Sequence, residues 1–191
     1  MAIFAKSTDF FENIKLKATD IQLNSLVNKA IEGHQYAFKA LYNQFSNAMF
    51  NICIRMTADR QESEDITQEA FFLAFQKLNQ LKEKKAFAGW LRRIVITICL
   101  QRIKSKINFE QFSSDHEVED EGIEWVEFDI DKLYGAIKYL PEGCRQIFLL
   151  YVTEDYSHKE IAKSLNISES TSKSQYARAK KLLRNQLITN G

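Results

Sequence analysis

Ser157-His-Lys-Glu-Ile-Ala-Lys-Ser-Leu-Asn-Ile-Ser-Glu-Ser-Thr-Ser-Lys-Ser-Gln-Tyr-Ala-Arg-Ala-Lys-Lys-Leu-Leu183 reads as two helices meeting at a tight corner. Ser157 with Glu160 three residues on is a capping box, so the spacing predicts a helix starting there. Ile161 and Leu165 form its apolar stripe, and the small Ala162 lets a second helix cross closely. Asn166 stands at the turn, where a left-handed backbone is needed and Asn tolerates it better than most residues. Ile167 would plug the corner. Ser168 can cap the second helix, with Glu169 favoured in its first turn. That helix offers Thr171, Lys173, Ser174, Ala177 and Arg178 on one side. Cations for phosphates beside short polar groups and a methyl for base edges are what a groove-reading helix needs. The segment therefore reads as a DNA-binding helix-turn-helix. The alternative is an ordinary helical hairpin with a solvated basic face.

The 191-residue chain can hold one domain or two small ones, and its 45% hydrophobic share supports a core. Net charge is only +1, but it is unevenly spread. Residues 82–106 carry Lys82, Lys84, Lys85, Arg92, Arg93, Arg102, Lys104 and Lys106 against Glu83 alone. Residues 107–131 carry ten carboxylates and no Lys or Arg, and residues 158–184 are basic again. Local potential, not net charge, governs an encounter with nucleic acid, so this basic–acidic–basic order is the informative quantity. Cys53, Cys99 and Cys144 are far apart, odd in number and set among apolar residues. They read as small buried side chains of a reducing compartment, with no metal site and no disulfide frame. No run is long enough for a membrane span and Met1–Lys17 lacks a signal-peptide layout, so a cytoplasmic protein is expected.

One proline and six glycines leave the periodic segments nearly unbroken. Helical spacing recurs in Ile21, Leu26, Ala30; in Phe38, Leu41, Tyr42, Phe45, Met49, Ile52; in Ile66, Ala70, Leu73; and in Phe87, Leu91, Ile94, Ile98. No segment alternates with strand period for long, so the predicted class is all-α. The predicted organisation is an N-terminal segment of uncertain order (1–19), a helical domain (20–106), an acidic flexible linker (107–131) and a C-terminal helix-turn-helix domain (132–191). Within the linker a turn around Trp125–Phe128 is expected, and Pro141 suits the first turn of a following helix.

The helix around Asp65-Ile-Thr-Gln-Glu-Ala-Phe-Phe-Leu-Ala-Phe-Gln-Lys-Leu78 has two unlike faces. Ile66, Ala70, Leu73 and Lys77 share one, and Asp65, Gln68, Glu69, Phe72 and Gln76 the other. Carboxylates and an amide around a large aromatic suit a partner-binding surface. Phe72 packed under the N-terminal segment is the alternative. Downstream, Phe87, Leu91, Ile94 and Ile98 make a core stripe, while Trp90, Arg93, Thr97, Gln101 and Lys104 fall on another face. With the basic loop Leu81–Lys85 before it, that edge suits single-stranded DNA, charge following the backbone while an open base is captured. Trp90 itself is better read as a half-buried core residue.

Three blocks together resemble sigma factors of the extracytoplasmic-function type, the two-domain subunits that give bacterial RNA polymerase its promoter specificity. Asp65-x-x-Gln68-Glu69-x-Phe71 resembles the family's clamp-docking helix. Phe87-x-x-Trp90-Leu91-x-x-Ile94 and the basic residues after it resemble the −10-element segment. Leu140-Pro141-Glu142 through Leu183 resembles the −35-binding domain, and the wording around Ile94–Leu100 is closest to factors of the Bacteroidetes lineage. The resemblance implies a transcription initiation factor without catalytic residues, metal or cofactor. It implies that Asp65, Gln68, Glu69 and Phe72 dock on core RNA polymerase, at the β′ clamp, with the C-terminal domain at the β flap. It assigns Lys82, Lys84, Lys85, Arg93, Thr97, Gln101 and Lys104 to the −10 element, and Thr171, Lys173, Ser174, Ala177 and Arg178 to the −35 element. An anti-sigma protein is a further implied partner, and the acidic linker would mimic nucleic acid in a cationic channel of the polymerase. The chain departs from the family pattern in Thr97 and Gln101 for Asn and Asp, Asn166 for the turn glycine, Ser172 for a core valine, and Gln175 and Tyr176 for Arg and Leu.

Two other classes bound the reading. A stand-alone helix-turn-helix regulator would use residues 30–106 for dimerisation or sensing and bind a palindrome as a dimer. An enzyme finds little support: His34, His116 and His158 are isolated, and no Gly-rich phosphate loop or metal-ligand spacing occurs.

Overall fold

The computed structural model describes residues 20–104 and 130–189. Among these every regular element is helical, and they fall into two compact units, one reaching Ile103 and the other following it. The segment 1–19, the expected Trp125–Phe128 turn and the acidic stretch up to residue 129 lie outside the described residues.

The first unit opens with α1 (Asp20–Ile31) and the long α2 (Gln35–Thr57), joined through Gly33 at φ +87°. A corner at Ala58 and Asp59 leads to α3 (Arg60–Gln76). Ala58 takes the left-handed conformation at φ +55°, and its N–H still donates to the Ile54 carbonyl. Asp59 caps α3 by accepting from the Glu62 N–H at 2.8 Å, and the Thr57 and Ser63 hydroxyls meet at 2.8 Å beside it. Two single-turn helices, Leu78–Gln80 and Lys84–Ala86, then lead into α4 (Phe87–Lys104).

Helix α2 packs on α1 and α3. Its buried residues Leu41, Phe45, Met49, Ile52 and Met56 form the core with Ile66, Ala70, Phe71 and Ala74 of α3 and Phe87, Leu91 and Val95 of α4. Phe45 and Phe87 meet edge to face at 5.3 Å, an arrangement the aromatic quadrupole favours. The buried stripe of α4 differs from the expected one. Ile94 is only half buried, and Val95 continues the stripe from Leu91 toward Ile98 and Cys99. Which residue of that turn is buried depends on how α4 crosses its neighbours, not on the spacing along α4 alone. Leu73 is likewise half buried, and Lys77 is the residue capping the end of α3.

The second unit contains α5 (Ile130–Ile137), α6 (Glu142–Val152), α7 (His158–Leu165) and α8 (Glu169–Thr189). Pro141 stands just outside α6 as its N-cap, with ψ 142°, and its carbonyl accepts from the Arg145 N–H at 2.9 Å. Helix α8 packs against α5, α6 and α7 around Ile147, Phe148, Ile161, Leu165, Ala179 and Leu183. All three cysteines are buried and none is in a disulfide.

The capping box forms as the spacing predicts. The Glu160 N–H donates to the Ser157 hydroxyl at 3.3 Å, and the Glu160 carboxylate accepts the Ser157 N–H at 2.9 Å. Asn166 ends α7 at φ +57° and ψ +48°, turning the chain into the second helix. The first expected result follows. Ser157→Ala lowers the stability of this unit by about 1 kcal/mol, because the Glu160 N–H loses its acceptor and the Glu160 carboxylate loses the hydroxyl donor. Amide exchange of α7 measures it, and unchanged protection would mean the cap contributes nothing.

Candidate nucleic-acid and partner interfaces

Helix α8 carries two unlike sides. Ser172, Gln175, Ala179 and Leu183 are buried, whereas Lys173 is exposed and Thr171, Ser174, Ala177 and Arg178 are half exposed. The five residues expected to read the groove thus share the accessible side. At the start of the helix the Ser168 hydroxyl accepts the Thr171 N–H at 2.9 Å, which is the predicted cap. Lys173 pairs with Glu169 one turn back, at 2.8 Å. The Lys173 hydrogen bond and charge hold the Glu169 carboxyl below its ordinary value. The Ser174 hydroxyl donates to the Thr171 carbonyl at 3.0 Å.

His158, at the first position of α7, joins the elements behind this face. Its Nδ1 lies 2.9 Å from the buried Ser172 hydroxyl. Its ring stacks on Tyr151 of α6 at 4.3 Å and meets Tyr176 of α8 edge-on at 5.6 Å. Burial, and then the Lys173 cation, hold the imidazole below the ordinary histidine value. The folded chain therefore resists a proton that the unfolded chain accepts. As pH falls through the ordinary value near 6.5, the unfolded state takes up the proton first, and stability is lost until the folded group also titrates. Exchange protection of α7 and α8 is expected to weaken between about pH 7.5 and 5.5, and His158→Phe to flatten that slope. A wild-type profile as flat as the variant's would contradict it.

In the first unit, α3 presents a ridge. Asp65, Gln68, Phe72 and Gln76 are exposed along one side, and Glu69 is partly so. Phe72 is 62% exposed, the most accessible large apolar side chain among the described residues of this unit. The alternative, Phe72 packed under the N-terminal segment, falls on residues 1–19 and so lies outside the described residues. Glu69 accepts from Arg102 of α4 at 2.8 Å. That pair joins residues 33 apart in the chain, and no local spacing announces it.

Along α4, Arg93, Thr97, Gln101 and Lys104 are exposed, while Trp90 is half buried with its ring 6.2 Å from Phe87. The Thr97 hydroxyl donates back to the Arg93 carbonyl at 2.7 Å, leaving its oxygen lone pairs for an incoming donor. The segment Leu81–Lys85 is more ordered than a bare basic loop. Leu81 is buried, and Lys84 turns back to donate to the Leu81 carbonyl at 2.6 Å. Lys82 and Lys85 are the exposed cations there. Among the described residues no group of histidine, cysteine and carboxylate side chains could hold a metal, and no helix is long and apolar enough to cross a membrane.

Residues 41–107 match the family model for Sigma-70 region 2, and residues 130–183 match that for Sigma-70, region 4. Together they take in more than half of the chain. The ECF RNA polymerase sigma factor SigW of Bacillus subtilis is 24% identical over 184 residues, spanning 88% of this chain and 98% of its own. The RNA polymerase sigma-H factor of Pseudomonas aeruginosa is 27% identical over 180 residues, spanning 86% and 93%. Among solved structures, CnrH in complex with the cytosolic domain of CnrY superposes with a TM-score of 0.50 at 18% identity, covering 88% of this chain and 99% of that one.

Proposed function

We propose a division of labour between the two helical units, starting from the premise that this chain belongs to the sigma-70 family and is of its extracytoplasmic-function type, a transcription initiation factor that directs core RNA polymerase to promoters. The α3 ridge of Asp65, Gln68, Glu69 and Phe72 holds the polymerase clamp, charge steering the approach and the phenylalanine anchoring it. Lys82, Lys85 and the Arg93–Lys104 edge of α4 hold the displaced strand at the −10 element, where turning out one base costs a few kcal/mol. Lys84 contributes by shaping the loop from within. The Thr171–Arg178 face of α8 reads the −35 duplex. The observation that carries this reading is the coexistence of two accessible basic faces with an exposed phenylalanine ridge, in the order that a two-element promoter requires.

Acting with RNA polymerase places the chain in the cytoplasm. A sequestering protein belongs to the same reading, since CnrH, which shares the fold, was solved in complex with part of CnrY. Transcription in vitro with core polymerase over a promoter library tests the assignment. Initiation that depends on the chain, from sites with two unlike elements in fixed order, is the expected outcome. Specific binding of the isolated chain to a palindrome, with no effect on core polymerase, would replace it by the stand-alone regulator.

A further inference from the structure

The buried side of α8 is not wholly apolar. Ser172 is 0% exposed and Gln175 is 5% exposed, so both polar groups are withdrawn from water on the underside of the helix. Each is met by a partner on a different element. His158 Nδ1 of α7 lies 2.9 Å from the Ser172 hydroxyl, and the Cys144 thiol of α6 donates to Gln175 Oε1 at 2.9 Å. We propose that these two buried bonds make His158, Ser172, Cys144 and Gln175 positioning residues that fix the pose of α8, and with it the base selectivity of the −35 element. The proposal rests on the reading that α8 enters the duplex.

An apolar underside would tolerate small shifts, since hydrophobic contacts are non-directional and cores repack. Hydrogen bonds do not. Turning or sliding α8 by ~1 Å stretches a bond of this length beyond the range in which it counts as one, and leaves a buried polar group without compensation. Two such bonds, three residues apart on α8 and anchored to separate helices, fix its rotation and its rise together. Thr171, Lys173 and Ser174 alternate with the anchored residues along the same backbone, so the underside sets where the outer side chains point. The anchors are themselves held. The His158 ring is gripped by Tyr151 and Tyr176, whose own rings lie 4.7 Å apart. Burial pushes the Cys144 thiol up to about 11, so it stays a protonated donor at neutral pH.

The test uses holoenzyme assembled from core polymerase and the full chain, and DNA libraries randomised at the −35 and −10 positions. Ser172→Val and Ser172→Thr are isosteric and differ in the hydroxyl alone, so packing effects are common to both. With Ser172→Val, −35 base preferences are expected to flatten by about three- to tenfold, while −10 preferences and the salt dependence stay as in the wild type. Ser172→Thr restores the −35 preferences. His158→Phe keeps the ring stack and removes the nitrogen, and flattens the same preferences. It decides the matter should the valine variant not fold. Identical −35 preferences in the Val and Thr variants, or wild-type preferences in His158→Phe, would overturn the positioning role. Failure of the groove reading looks different, because losing Lys173 and Arg178 would then leave promoter binding unchanged.

Discussion

Phe72→Ala lowers the affinity of the chain for core RNA polymerase by roughly 30-fold or more, while helical content and melting stay close to the wild type. A buried aromatic anchor at the centre of an interface commonly contributes about 2 kcal/mol or more, and each ~1.4 kcal/mol is a factor of ten in affinity. The size of this effect comes from where the side chain stands. Phe72 is 62% exposed in the folded chain, so removing its ring opens no cavity and the fold loses little. A core phenylalanine such as Phe45, wholly buried, would destabilise the unit and confuse the measurement. Glu69→Ala is expected to cost less, since its carboxylate already has a partner in Arg102 at 2.8 Å and must share it on docking. Titration of labelled chain with core polymerase, beside circular dichroism, reads both. Equal affinity for wild type and Phe72→Ala would remove α3 as the docking ridge.

Lys173→Ala combined with Arg178→Ala weakens promoter binding by on the order of 10- to 100-fold and lowers the slope of log affinity against log salt by about 2. Each cation that leaves a phosphate takes with it roughly one released counterion, so the slope counts contacts where affinity alone does not. The Glu169–Lys173 pair adds a second effect. Without Lys173, the ionised Glu169 carboxylate is left alone on the DNA face and repels the phosphates. Adding Glu169→Gln is therefore expected to recover part of the lost affinity without recovering the slope. Binding of holoenzyme to promoter DNA across a salt series measures all three variants, and an unchanged slope would count against the groove assignment.

The features legible in the sequence are those that act within one or two helical turns. Ser157 with Glu160, Asn166 at the corner and Ser168 before α8 were readable because a cap or a left-handed turn is decided by residues three or four apart. The division of α3 into an apolar side and the ridge of Asp65, Gln68, Glu69 and Phe72 followed from the 3.6-residue period in the same way. What the chain could not announce are contacts between residues far apart along it: Glu69 with Arg102, His158 with Ser172, and Cys144 with Gln175. Such contacts depend on how helices cross, and crossing is set by the summed packing of many side chains, not by any short pattern. The replacement of Ile94 by Val95 in the buried line of α4 has the same origin. Local hydrogen bonding and periodicity therefore determined the elements and the outward faces of this protein. Only the tertiary structure decided which polar groups go under α8, because a buried hydroxyl or thiol is acceptable solely where another helix brings a partner to it.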